Sequence, residues 1–170
     1  MTLSMYQASV PVFRQMLEAL GGVLAKGEAF AAERKIEPAV LLTWRLALDM
    51  FNLTRQVQVA SDMAKGGVAR LPGVEVPKWE DNEASFGDLK ARLARTVDFV
   101  GGFKPAQIDG SEAREVTIPL GGKPTAFKGQ PYLLKFVLPN LYFHCTTAYS
   151  LLRAAGVPLG KRDFLGNFEA

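Results

Sequence analysis

Apolar residues recur at spacings of three and four over four long stretches of the chain, the period of a helix that buries one face. Between Ser4 and Lys26, the residues Tyr6, Val10, Phe13, Leu17, Leu20 and Leu24 form such a stripe, with Ser4 placed to cap a helix and Gly27 to end it. Pro11 falls inside this stretch and predicts either a kink in the first turns or a later start. From Pro38 to Ala64 the apolar positions run nearly all round, through Val40, Trp44, Leu48, Phe51 and Val59, as in a helix buried against several neighbours. Pro38 suits the first turn of that helix and Gly66-Gly67 its end. One polar arc interrupts it: Arg45, Asp49, Asn52 and Gln56, at steps of four, three and four.

A third helix is expected from Asn82 or Ser85 to Val100, burying Phe86, Leu89, Leu93 and Val97, with Ser85 and Asp88 at capping-box spacing and Gly101-Gly102 beyond. A fourth runs from about Gln130 to Ala155 and ends at Gly156. Pro139 should bend it and free the carbonyl of Lys135. A loop is expected from Gly66 to Asp81, and the two segments starting at Glu115 and Thr125, around Leu120-Gly-Gly-Lys, read as a small β-hairpin. Phe164 and Leu165 give the tail an apolar point with which to pack back on the bundle.

Length and composition narrow the class. The 170 residues, 48% apolar and 22% charged, fit one domain spanning 1–170 with a core that needs neither disulfide nor metal. Twenty basic against 17 acidic residues leave +3, scattered along the chain, so nucleic acid is not an expected partner. The N-terminus lacks the charged and apolar regions of a signal peptide, and no uncharged apolar run approaches the roughly 18 residues a membrane span needs. With a single cysteine, Cys145, these features predict a soluble cytoplasmic protein without a membrane partner.

Candidate chemistry centres on the one histidine. Leu133, Phe136, Asn140, His144, Thr147 and Leu151 share a helical face, while Lys135, Tyr142, Thr146 and Arg153 lie opposite and should meet solvent. His144 and Asn140 therefore point inward. Asp49 is the natural partner of His144, because an unpaired carboxylate midway along an apolar helix would be costly to bury, and Arg45 one turn earlier could neutralise it. If that polar arc faces the interior, Asp49 orients His144 and sets its tautomer; if it faces water, it is a solvated strip. In the plainer alternative His144 satisfies Asp49 or a backbone carbonyl within the core. One histidine does not make a metal site, since zinc needs three or four strong ligands and an Asn amide is a weak donor.

Nucleophilic chemistry has little to stand on. Cys145 diverges from His144 by about 100° around the helix and should pack in the core. No nucleophile elbow, phosphate loop or dinucleotide fingerprint is present. Asp62 with Lys65 reads as an exposed helix-end ion pair.

Three segments resemble a known family. They are Arg45-Leu-Ala-Leu-Asp-Met-Phe-Asn-Leu-Thr-Arg-Gln-Val-Gln, Leu138-Pro-Asn-Leu-Tyr-Phe-His-Cys-Thr-Thr-Ala-Tyr-Ser-Leu-Leu-Arg, and the tail Gly160-Lys-Arg-Asp-Phe-Leu-Gly. Together they look like a bacterial domain-of-unknown-function family within the DinB/YfiT-like four-helix bundles, covering essentially the whole chain. The resemblance implies an all-α, up-down-down-up bundle with a small β-hairpin between the third and fourth helices. It also implies a divalent metal between helices, held by one His from the second helix and a His-x-x-x-His pair from the last, in relatives that include thiol-dependent transferases and hydrolases. Here the paired positions are Asn140 and His144, and the second-helix position falls near Asp49 or Asn52, so two of the three histidines are absent.

Two functions follow as expectations. In the first, Asp49, Asn140 and His144 line an interior site for a small molecule or a weakly held metal, with Asn52 and Arg45 beside it. His144 would carry the proton or ligate, and Asp49 would orient it. In the second, the bundle is structural, or serves to pair with a second copy, and its interior polar groups are core hydrogen bonds. A route from solvent to His144 favours the first and a dry, sealed contact the second. Enzymatic activity is left open by both.

Overall fold

The computed structural model describes residues 3–168. In chain order it contains α1 (Val10–Arg34), α2 (Pro38–Leu42), α3 (Leu53–Arg70), α4 (Phe86–Gly101), α5 (Pro105–Ile108), β1 (Glu115–Leu120), β2 (Lys123–Lys128), α6 (Gly129–Pro131), a π-helical turn (Tyr132–Val137), α7 (Leu138–Ala154) and α8 (Lys161–Leu165). Four of these, α1, α3, α4 and α7, make the bundle. Helix α1 packs on α4 and α7, and α3 packs on the same two, so the four close into a ring. The result is an all-α, up-down-down-up bundle with one small hairpin. The long connection after α3 gives α4 room to run in the same direction as its predecessor.

Sealed side chains from all four helices build the core: Phe13, Leu17 and Leu24 from α1, Leu53 and Val57 from α3, Leu89 from α4, Leu141 and Leu151 from α7. Each such burial contributes roughly 1.5–3 kcal/mol. The spacing of three and four found in the sequence is thus the geometry of four facing stripes. Ser85 caps α4 by accepting from the Asp88 amide at 3.0 Å, and Asp88 answers by accepting from the Ser85 amide at 3.0 Å, the expected capping box. In the hairpin, Gly121 and Gly122 take φ of 55° and 80°, the left-handed pair that a two-residue turn between twisted strands requires. The tail folds back as expected. Phe164 meets Tyr149 edge-on, and the Leu165 carbonyl accepts from Gln15 at 2.9 Å.

Two helix ends differ from those the sequence predicts, while α1 takes the later start that Pro11 offered. Helix α1 starts at Val10, with Pro11 in its first turn, and continues through Gly27 to Arg34. Gly27 marks a close approach, since a Cβ there would lie 3.0 Å from Leu152. Helix α3 likewise runs through Gly66-Gly67, where a Cβ on Gly67 would come within 2.7 Å of Val137. Bare backbone at Gly67 lets α3 lie against the π-helical turn.

The largest correction concerns the second helix. It is not continuous: α2 stops at Leu42, and residues 43–52 form a loop before α3. Side chains offer this backbone partners that a helix would otherwise supply. Asn52 takes an extended conformation and caps α3 by accepting from the Arg55 amide at 2.9 Å. Arg45 donates to the Met50 carbonyl at 2.7 Å, and Gln56 reaches back to the Phe51 carbonyl at 3.1 Å. The loop closes on itself where the Leu53 amide donates to the Trp44 carbonyl at 3.1 Å. The polar arc predicted for one helical face therefore does not exist as an arc. The apolar side chains around it are not buried either: Trp44, Leu46, Leu48 and Phe51 all stand exposed.

Pro139 is accommodated by the π-helical turn just before α7, which absorbs the misfit of a proline that has no N–H.

Candidate functional site

His144 does point inward, as its helical phase requires. It lies on the face of α7 turned toward α3 and is 7% exposed. Lys135, Tyr142, Thr146 and Arg153 lie on the solvent side. The partner of His144 is Gln56 of α3, whose Oε1 lies 2.7 Å from Nδ1. The Gln56 amide has its orientation fixed from the other end, because its Nε2 donates to the Phe51 carbonyl. Oε1 can only accept, so Nδ1 carries the proton and Nε2 of the imidazole is left with its lone pair. That Nε2 makes no hydrogen bond among the described residues, and it is not sealed from solvent. Burial, reinforced by the charge of Arg55, holds the His144 pKa below its ordinary value and keeps the ring neutral. The Phe143 ring stands edge-on to the imidazole, with centroids 5.2 Å apart.

The other expected site residues are elsewhere. Asp49 is exposed on the loop and makes no ion pair among the described residues, so it neither orients His144 nor needs Arg45 to neutralise it. Arg45 and Asn52 hold the loop backbone and the α3 cap. Asn140 donates its amide to the Phe136 carbonyl at 2.7 Å, one turn back in its own helix, and so patches the backbone beside the π-helical turn. Of the five, only His144 is buried. That donor set does not fit a metal centre. Among the described residues no group of three or more His, Cys, Asp or Glu side chains is placed to hold a metal ion.

A second polar cluster was not foreseen. Arg92 of α4 is 5% exposed and holds Asp62 at 3.0 Å, Asp81 at 2.9 Å and Glu83 at 2.8 Å, with the Ser61 hydroxyl at 3.2 Å and the Glu80 carbonyl at 3.1 Å. Burial works against the charge of Arg92, but its three carboxylate neighbours outweigh it and raise its pKa. Lys65, read in the sequence as half of an exposed pair with Asp62, is buried: it holds that carboxylate at 2.9 Å and lies 4.4 Å from the centre of the Trp79 ring. Arg95 covers the same indole at 4.3 Å. Arg55 joins the cluster through Asp81 and Gln58, and Gln58 in turn donates to Glu83 at 2.8 Å. The cluster clamps the connection between α3 and α4 to both helices. The sequence did carry one sign of it, an arginine between Leu89 and Leu93 on a stripe otherwise apolar.

Beside this clamp lies an open cavity of about 630 Å³, lined among others by Lys78, Trp79, Glu80, Arg92 and Arg95. His144 is not among its lining residues. The histidine is thus reached by solvent at Nε2 without being part of this cavity.

Comparison with known proteins places the chain. The family described as "Domain of unknown function (DUF1993)" matches residues 5–165, and the chain belongs to it. A crystal structure of a DinB family member protein from Shewanella denitrificans is 41% identical, covering 97% of this chain and 93% of that one, with a TM-score of 0.87. No curated protein matches the chain.

Proposed function

We propose that this member of the DUF1993 family binds a small organic molecule at the His144 end of the seam between α3 and α7, without a metal. The observation that carries the proposal is the unpaired Nε2 of a neutral imidazole whose Nδ1 is pinned. A ring fixed in this way accepts a hydrogen bond, or takes a proton, at one defined atom. Phe143 beside the ring supplies an apolar wall, and the neighbouring Arg55 favours a ligand that is neutral or anionic. The matching ligand has an acidic N–H or O–H donor on an apolar or aromatic body. Proton uptake by His144 would need the ligand's anion as its product, and Arg55 is placed to favour that charge.

The test is a fragment screen on the full chain, read by the ring nitrogens of His144 in ¹⁵N spectra. Phenols, carboxylic acids and imides serve as probes. Expected is a saturable shift of Nε2 with Nδ1 unmoved, and no binding by a His144→Phe variant that keeps its helical circular dichroism. Fragments that bind equally well to His144→Phe, or an Nε2 already protonated in the free protein, would overturn the reading.

A further inference from the structure

The loop at 43–52 holds apolar side chains out in water by construction. Leu48 is 99% exposed, and Trp44, Leu46 and Phe51 in the same loop are each 44% exposed or more, as is Val40 just before it. A flexible loop would bury such groups when it could. This one is tied at several points, through Arg45 to the Met50 carbonyl, Leu53 to the Trp44 carbonyl, Thr54 to the Leu42 carbonyl at 3.1 Å, and Gln56 to the Phe51 carbonyl. A closed loop of this kind, packed by its own hydrogen bonds, is a built surface. Several large apolar side chains exposed on one short, water-facing element mark an interaction site.

The charges on the loop narrow the choice of occupant. Arg45 and Asp49 are both exposed and, among the described residues, neither makes an ion pair. A guanidinium has five N–H groups, and the Met50 carbonyl takes one of them. An acidic and a basic group flanking an apolar centre on the same loop are complementary to that same loop turned through a two-fold axis. In such a contact Arg45 of each copy meets Asp49 of the other, and the leucines pack between them.

We infer that loop 43–52 is the contact surface of a homodimer, in which a second copy of this chain lays the same loop against it about a two-fold axis. The same loop is tied to the candidate site, since the Phe51 carbonyl accepts from Gln56 and Gln56 accepts from His144. The dimer stands on the loop alone, whatever His144 binds.

The experiment is sedimentation equilibrium of the full chain at micromolar concentration, with four samples. The wild type is expected at twice the monomer mass. Leu48→Asp removes a side chain with almost no contacts of its own, so helical circular dichroism is kept while the dissociation constant rises about a hundredfold or more. Arg45→Asp and Asp49→Arg each put like charges against one another and are monomeric alone. Mixed together, they re-form a dimer, because each then offers what the other needs. A monomeric wild type, a dimer indifferent to Leu48→Asp, or two charge variants that fail to recombine would overturn the inference. A monomer that instead binds lipid vesicles or another protein through this loop would overturn it as well.

Discussion

Gln56 lies 2.7 Å from His144, across the seam between α3 and α7, and it is an amide where a carboxylate would be the familiar partner. The difference is one of charge. A carboxylate would fix the tautomer and also stabilise the imidazolium, raising the histidine's pKa. The amide fixes the tautomer and leaves burial and Arg55 free to push the pKa down. The sequence placed Gln56 and Asp49 on one arc, but a loop that ends just before α3 keeps the amide inside and puts the carboxylate in water.

The titration of His144 should follow. In the native protein its pKa lies below 6.5, and Gln56→Glu should raise it above that value, both read from ring proton shifts against pH. Stability changes in the matching sense. A base whose folded pKa is depressed is protonated first in the unfolded chain. The wild type is therefore expected to lose stability as pH falls from about 6.5 toward the lower folded pKa, while above 6.5 the ring contributes nothing. In Gln56→Glu the histidine's contribution reverses sign. Urea titrations at several pH values check this.

Arg92 should be the costliest single charge to remove. Arg92→Leu leaves Asp62, Asp81 and Glu83 facing one another without their shared cation, and a loss of about 3–5 kcal/mol is expected in chemical denaturation. Arg14→Ala, which breaks only the exposed pair with Glu18, should cost about 0.5 kcal/mol or less. Equal effects from the two substitutions would contradict the clamp.

Two glycines of the helices should respond with opposite sign. Gly67→Ala drives a methyl to 2.7 Å from Val137 at the contact between α3 and the π-helical turn, and a loss of about 1–3 kcal/mol is expected. Gly21→Ala meets nothing within 4 Å in α1 and should gain about 0.5–1 kcal/mol through lower backbone entropy in the unfolded chain. Thermal denaturation of the pair distinguishes them.

Cys145 should be inert. It is 2% exposed, and burial pushes its thiol up to about 12, so almost no thiolate exists near neutral pH. A thiol reagent should leave the native protein unlabelled at pH 8 and label it fully in urea. Rapid native labelling would show that α7 opens away from the core.

Much of the bundle was legible because a helical stripe and its caps are local. Leu89, Leu93 and the Ser85–Asp88 pair announced α4, its start being the Ser85 alternative rather than Asn82, and the inward phase of His144 followed from its position among Leu133, Phe136, Thr147 and Leu151. What could not be read depended on distant segments. Apolar positions all round Val40 to Phe51 signal burial, yet within one chain Leu41 and Leu42 are covered while Val40, Trp44, Leu46, Leu48 and Phe51 are not. Gly66-Gly67 resembles a stop signal until Val137 and Phe13 are seen pressed against it. Apart from Arg92 itself on the Leu89–Leu93 stripe, the buried ion cluster had no local trace, because Asp81 and Glu83 come from a connection with no periodicity.

The two tryptophans of the chain stand on the two features that matter most. Trp44 lies on the apolar loop, 44% exposed, while Trp79 is held by Lys65 and Arg95 at the clamp. Replacing either one with phenylalanine leaves a single indole as reporter of the other region. The protein thus carries its own pair of fluorescent labels. One is set to register whatever covers the loop, and the other whether the crossover between α3 and α4 is still fastened.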